Sequence, residues 1–168
     1  MLKVAVITIS DRASRGEYAD LSGPRIREVL ERELPGSEVA VTVVPDEAGA
    51  ITAAIQANLD RDYILTCGGT GLSPRDITPE TCARLCDRDV PGISEWLRRE
   101  SQRETPHAVF SRAYSGMKGS TLIVNFPGSV RGAEFCAGLL AGVMAHGRDM
   151  VHGGDHPSHE HKSVKSNK

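Results

Sequence analysis

Apolar residues fall into short, nearly continuous β-branched runs, separated by longer segments in which they recur every three or four positions. Lys3 to Ser10 is the first run, the kind of strand expected where both faces of a sheet are covered. Asp11 to Ser22 is polar and contains glycine, which predicts a loop. Gly23-Pro24 then opens a helix, because the missing proline N–H does no harm in a first turn. Ile26, Val29, Leu30 and Leu34 share one face of it, and Pro35-Gly36 ends it. Glu38 to Pro45 reads as a second strand. Asp46 is placed to cap a second helix with Ile51, Ala54, Ile55 and Leu59 turned inward. Tyr63 to Cys67 is a third strand, followed by a glycine-rich turn and a helix with Thr78 as N-cap and Pro79 at its first position.

The second half is less regular. Pro91 to Glu104 reads as a helix with Ile93, Trp96 and Leu97 apolar, and Pro106 to Arg112 as a short one. Thr121 to Phe126 is an emphatic strand, closed by Pro127-Gly128-Ser129. A long helix from about Gly132 to Val151 turns Phe135, Cys136, Leu139, Leu140, Val143 and Met144 to the core, while Gly138 and Gly142 offer a place for close helix approach. The β-α-β-α-β-α order with short connections predicts an α/β fold: a mostly parallel central sheet, right-handed crossovers and helices on both faces. Residues 1–151 form a single domain on this reading. Residues 152–168 read as a disordered His/Lys/Ser-rich tail, whose His152, His156, His159 and His161 have a weaker alternative reading as a metal-collecting cluster.

The chain has 168 residues, enough for one well-filled core and too few for two. Its formal charge of −2 gives no global field for nucleic acid or an acidic membrane, and only 4% aromatic residues leave little for base stacking. No apolar run approaches the roughly 20 residues of a membrane span. The N-terminus enters a strand pattern without signal-peptide anatomy, so a cytoplasmic setting is expected. Cys67, Cys82, Cys86 and Cys136 include no CxxC pair and sit among apolar neighbours, which favours buried thiols over disulfides or zinc ligands.

Ligands of open α/β sheets bind beyond the carboxyl ends of the strands. Four segments fall at such ends: Thr8-Ile9-Ser10-Asp11, Pro45-Asp46-Glu47, Gly68 to Asp76, and Asn125-Phe126-Pro127-Gly128-Ser129. Gly68, Gly69 and Gly71 let backbone N–H groups approach an anion without an intervening Cβ. Asp76 places a carboxylate beside that cradle, where a phosphate-bound Mg²⁺ can use it. Each feature also has a structural reading: Asp46 as a helix cap, Ser10 as a turn residue, Asp76 paired with Arg75, Pro127-Gly128 as a strand stop. Neither a P-loop lysine motif nor a complete dinucleotide fingerprint is present, so a nucleotide has to be held in another way.

Several motifs then occur in order. They are the strand ending Thr8-Ile9-Ser10-Asp11-Arg12, the Val44-Pro45-Asp46-Glu47 turn, and Gly68-Gly69-Thr70-Gly71 with Arg75-Asp76-Ile77-Thr78-Pro79-Glu80. Ser111-Arg112-Ala113 and Leu122-Ile123-Val124-Asn125-Phe126-Pro127-Gly128-Ser129 follow. From about Lys3 to Met150 the chain resembles the MogA/MoaB-type molybdopterin adenylyltransferases. The resemblance implies a three-layer α/β/α fold and a homotrimer acting in molybdenum cofactor biosynthesis. The implied reaction is Mg²⁺-dependent transfer of AMP from ATP to molybdopterin with release of pyrophosphate. It carries the family's two essential aspartates onto Asp46 and Asp76, as catalytic and metal-binding groups. Its glycine loop falls on Gly68, Gly69, Thr70 and Gly71, and its pterin-side segment on Ser115-Gly116. Thr8, Ser10, Asn125, Pro127, Gly128 and Ser129 complete the implied pterin and nucleotide contacts, and a molybdenum-insertion enzyme is the implied further partner. Tyr114-Ser115-Gly116 and Val130 depart from the family pattern at positions that bear on substrate contact. The competing readings are a non-catalytic molybdopterin-binding or scaffold protein, and a nucleotide pyrophosphatase.

Overall fold

The computed structural model describes residues 1–153. Strands β1 (Lys3–Ile9), β2 (Glu38–Val44), β3 (Tyr63–Cys67) and β6 (Thr121–Phe126) arise where the apolar runs predict them and pair in parallel. Two short strands, β4 (Arg88–Asp89) and β5 (Ser115–Lys118), add an antiparallel edge and complete the order β2-β1-β3-β6-β5-β4. They are too short and polar to stand out in the sequence. Helices α2 (Ser22–Glu33), α5 (Pro91–Ser101) and α6 (Val130–Val151) cover one face of the sheet, and α3 (Ala48–Gln56) and α4 (Thr78–Leu85) cover the other.

Strand residues alternate between these layers, which explains their unbroken apolar character. Val4 and Val6 of β1, Leu65 of β3 and Val124 of β6 pack with Ile26, Leu30, Leu140 and Met144. Ala5, Ile7, Ile64 and Ile123 point the opposite way, onto Ile51 and Ile55 of α3 and Cys82 of α4. Cys67, Cys82 and Cys136 are buried free thiols. Burial pushes them up to about 12, 12 and 11, which makes them inert fillers of the core. No helix among the described residues is long and apolar enough to cross a membrane.

The structure corrects several local expectations. The expected loop after β1 contains one helical turn, α1 (Asp11–Ser14), capped by the Ser10 hydroxyl, which accepts from the Ala13 N–H. Helix α2 begins at Ser22 rather than at Gly23-Pro24, because Asp20 Oδ1 accepts the N–H groups of both Ser22 and Gly23. Asp46 is not the cap of α3: Glu47 holds that position without a side-chain bond, and the Asp46 carboxylate is engaged by Asp11. Thr78 is the first residue inside α4 and not its N-cap, a position taken by Ile77. Val143 is 45% exposed instead of facing the core, and Gly138 and Gly142 meet nothing that would make them sites of close helix approach. The tail reading for residues 154–168, with His156, His159 and His161, lies outside the described residues.

A buried polar knot ties the sheet to α4 and the β5 edge. Asn125 Nδ2 donates to Thr66 Oγ1 at 2.7 Å and to Cys82 Sγ at 3.2 Å, while its Oδ1 accepts the Tyr114 N–H at 3.2 Å. Both Asn125 and Thr66 are inaccessible to solvent apart from a trace. Truncating Asn125 strands these partners, so Asn125→Ala is expected to cost about 1–3 kcal/mol in urea unfolding. An unchanged midpoint would show that the knot is replaceable.

Candidate functional site

Cys67 ends β3 beside Ile9 of β1, and the chain can turn there only through glycine. Gly68 has φ +113° and Gly69 φ +64°. A Cβ on Gly68 would lie 2.4 Å from the Ile9 carbonyl oxygen, so the two strand ends approach backbone to backbone. Gly128, after β6, packs against this bend as well: its Cβ would stand 3.2 Å from the Gly68 Cα.

The carbonyls of the turn are tied down in succession. Thr78 N–H donates to Gly69 O at 3.2 Å and Arg112 N–H to Thr70 O at 2.9 Å, while the Arg112 guanidinium donates to Gly71 O at 2.7 Å. The same guanidinium also donates to the Asp76 carbonyl and pairs with Glu80. A trans peptide points its N–H opposite its C=O. These bonds therefore aim the N–H groups of Thr70, Gly71 and Leu72 away from Thr78 and Arg112, and none of the three donates to an acceptor among the described residues, which leaves them available to an anion.

Two carboxylates flank that cluster. A Cβ on Gly69 would lie 3.5 Å from Asp46 Oδ1, and one on Gly71 would lie 3.0 Å from Asp76 Oδ2. Asp76 Oδ2 is oriented by the Ser73 N–H at 2.9 Å. Asp46 is fixed by a reciprocal clasp with Asp11: Asp11 N–H donates to Asp46 Oδ2 at 2.8 Å, and Asp46 N–H donates to Asp11 Oδ1 at 2.9 Å. Arg75 neutralises the remaining oxygen of Asp11. Partial burial, and then the Asp76 charge, push the Asp46 carboxyl above its ordinary range. A carboxylate that is costly to leave ionised gains from a cation.

The donor chemistry fits Mg²⁺. Two acidic oxygens border a side-chain-free bend, and the Thr78 hydroxyl behind it is buried without a partner. One or two carboxylates suffice for an ion that keeps its waters and takes phosphate oxygens. Among the described residues there is no cluster of three or more His, Cys, Asp or Glu that would instead suit a transition metal.

Beside the turn lies a cavity of about 370 Å³, lined in part by Thr70, Gly71, Asn125, Pro127 and Ser129 with Phe110 and Phe135. The Asp46 and Asp76 carboxylates stand outside its walls. Thr8 and Ser10 serve the rim indirectly: Thr8 Oγ1 donates to Asp20 Oδ2 at 2.9 Å, and Ser10 Oγ meets Tyr18 Oη at 2.9 Å. Ser22 Oγ donates to Gly128 O at 3.2 Å, bridging α2 to the β6 end. Ser115 and Gly116 lie within β5, away from the turn. The Ser115 hydroxyl is committed to Val90 O at 2.7 Å and accepts the Ser94 N–H at 3.0 Å. It borders a second groove with Glu80, Asp89, Arg112 and Tyr114. Sequence reasoning missed Asp20 and the Asp11 clasp, and it gave Arg112 no role although Ser111-Arg112-Ala113 carried part of the resemblance.

Comparison with known proteins places the chain in a family. Residues 5–146 match the model of a family described as a probable molybdopterin binding domain. The molybdopterin adenylyltransferase of Helicobacter pylori strain J99 is 35% identical over 156 residues, covering 90% of this chain and 89% of its own length. The molybdenum cofactor synthesis protein cinnamon of Drosophila melanogaster is 34% identical over 149 residues, 87% of this chain, but the match spans only 25% of that longer protein. The crystal structure of the molybdopterin biosynthesis enzyme MoaB from Thermus thermophilus superposes with a TM-score of 0.82 at 43% identity, covering 91% of this chain and 98% of that one.

Two glycine substitutions separate the constrained bend from permissive helix. Gly68→Ala is expected to lose at least about 2 kcal/mol, because both φ and the Ile9 carbonyl oppose a Cβ. Gly138→Ala, in open space inside α6, is expected to gain about 0.5–1 kcal/mol. Denaturant midpoints of the two variants check the contrast, and equal effects would contradict it.

Proposed function

Because the chain belongs to the MogA/MoaB family of molybdenum cofactor biosynthesis proteins, we propose that it is a molybdopterin adenylyltransferase. On this reading it transfers AMP from ATP to the terminal phosphate of molybdopterin and releases pyrophosphate. One observation carries the reading: Asp46 and Asp76 border a glycine turn whose carbonyls are held by Thr78 and Arg112, so that its N–H groups point the other way.

The phosphate nucleophile is already anionic near neutral pH and needs no strong base. The barrier lies in bringing two anions together in line and in stabilising charge on the bridging oxygens. The amides of Thr70, Gly71 and Leu72 hold phosphate oxygens. Asp46 and Asp76 would hold Mg²⁺, which when bound would neutralise charge on the phosphates. Arg112 keeps the turn and the Asp76 loop in register through Gly71 O and the Asp76 carbonyl. The adjoining cavity suits a flat bicyclic heterocycle, with Phe110 and Phe135 among its lining residues. Ser115, with its hydroxyl already engaged, contributes through the shape of β5 rather than through a free donor. A homotrimer and a cytoplasmic setting are carried over from the family as parts of the same proposal.

Incubating the protein with molybdopterin, ATP and Mg²⁺ is expected to give adenylylated pterin and pyrophosphate, with neither product from ATP alone. Pterin binding without ATP turnover would leave a binding protein. Asp46→Asn and Asp76→Asn are each expected to slow turnover roughly 100-fold. Their melting temperatures should stay level or rise, because each amide keeps an acceptor and removes one of two neighbouring charges. A variant with near-normal adenylylation would remove that residue from the chemistry.

A further inference from the structure

Thr78 is fully buried at the start of α4, and its hydroxyl oxygen has no hydrogen-bond partner among the described residues. An unpaired buried hydroxyl is destabilising, and valine offers the same branching without that cost. The oxygen is therefore poorly explained by the fold alone.

Its surroundings suggest another use. Thr78 Oγ1 lies 2.3 Å from the point that a Gly69 Cβ would occupy, and Asp46 Oδ1 lies 3.5 Å from the same point. A side chain at position 69 would collide with the Thr78 oxygen and come into contact with Asp46 Oδ1. Asp46 Oδ2 is taken by the Asp11 N–H, whereas no hydrogen bond reaches Asp46 Oδ1 among the described residues. An unpaired donor and an unpaired charged acceptor thus flank one glycine, at the turn whose own carbonyl accepts the Thr78 N–H.

We propose that Thr78 is a positioning residue for Asp46: when a nucleotide loads the turn, the Thr78 hydroxyl donates to Asp46 Oδ1 and fixes the carboxylate toward the ligand. The backbone N–H of Thr78 already anchors Gly69, so one residue governs both the bend and the acid beside it. The inference deepens the adenylyltransferase reading and rests on it for the choice of ligand.

The test compares the wild-type protein with Thr78→Val and Thr78→Ser. The readouts are melting temperature without ligand, its rise with MgATP, and adenylylation of molybdopterin. Thr78→Val is expected to melt at or above wild type, to show a smaller MgATP-induced rise, and to turn over about tenfold more slowly. Thr78→Ser, which keeps the hydroxyl, is expected to match wild type in the MgATP-induced rise and in turnover. A valine variant with a wild-type MgATP response and turnover overturns the inference. So does one that melts below wild type without ligand, since the hydroxyl would then be structural. If the wild type responds to MgATP but adenylylates nothing, the proposed reaction fails, and the MgATP response of the valine variant still decides the role of Thr78. A wild type whose melting temperature MgATP does not move overturns both.

Discussion

The site depends on the hydrogen bonds that pull the carbonyls of Gly69, Thr70 and Gly71 inward. Thr78 and Arg112 supply all of them, and Arg112 reaches the far end of the same loop at the Asp76 carbonyl. A glycine-rich bend left to itself samples many conformations, and fixing it costs entropy. Here that cost is met by the fold, before any ligand arrives. The peptide planes are set, the N–H groups face away from Thr78 and Arg112, and Asp76 is carried beside Gly71. Such preorganisation is what electrostatic catalysis between anions requires.

The sheet determines where this happens. In the order β2-β1-β3-β6 the chain reverses its winding direction between β1 and β3, and α/β sheets open a crevice at the carboxyl ends of such a pair. The contact between Gly68 and the Ile9 carbonyl lies at that pair of ends. Asp11 follows β1 and Asp46 follows β2, so parallel pairing alone brings them close enough to exchange their N–H groups. The antiparallel edge built from β4 and β5 places Ser111 to Ala113 alongside, from which Arg112 reaches back to the turn.

What could be read from the sequence follows from these causes. The four long strands and the inward faces of α2 and α3 were legible because burial on both sides imposes a simple apolar pattern. The carboxylate pair and the glycine bend were legible because topology assembles strand ends. The caps were not. Asp46 has the chemistry of an N-cap, but the Asp11 N–H competes for it from 35 positions away, while Asp20 caps from within a segment that reads as loop. Ser115 reads as a free hydroxyl until the pairing of β5 places it between Val90 and Ser94. Val143 satisfies helical periodicity yet lies on the open flank of α6, because Leu140, Ala141 and Met144 take the buried face of the same turn.

The central claim is spatial: a triphosphate and a divalent cation share the bend between Asp46 and Asp76. A crystal structure with Mg²⁺ and a non-hydrolysable ATP analogue tests it most directly. The account predicts phosphate oxygens on the amides of Thr70, Gly71 and Leu72, with the ion between them and both aspartates. An analogue seated in the groove beside Tyr114 and Ser115, with the aspartates unliganded, would contradict it.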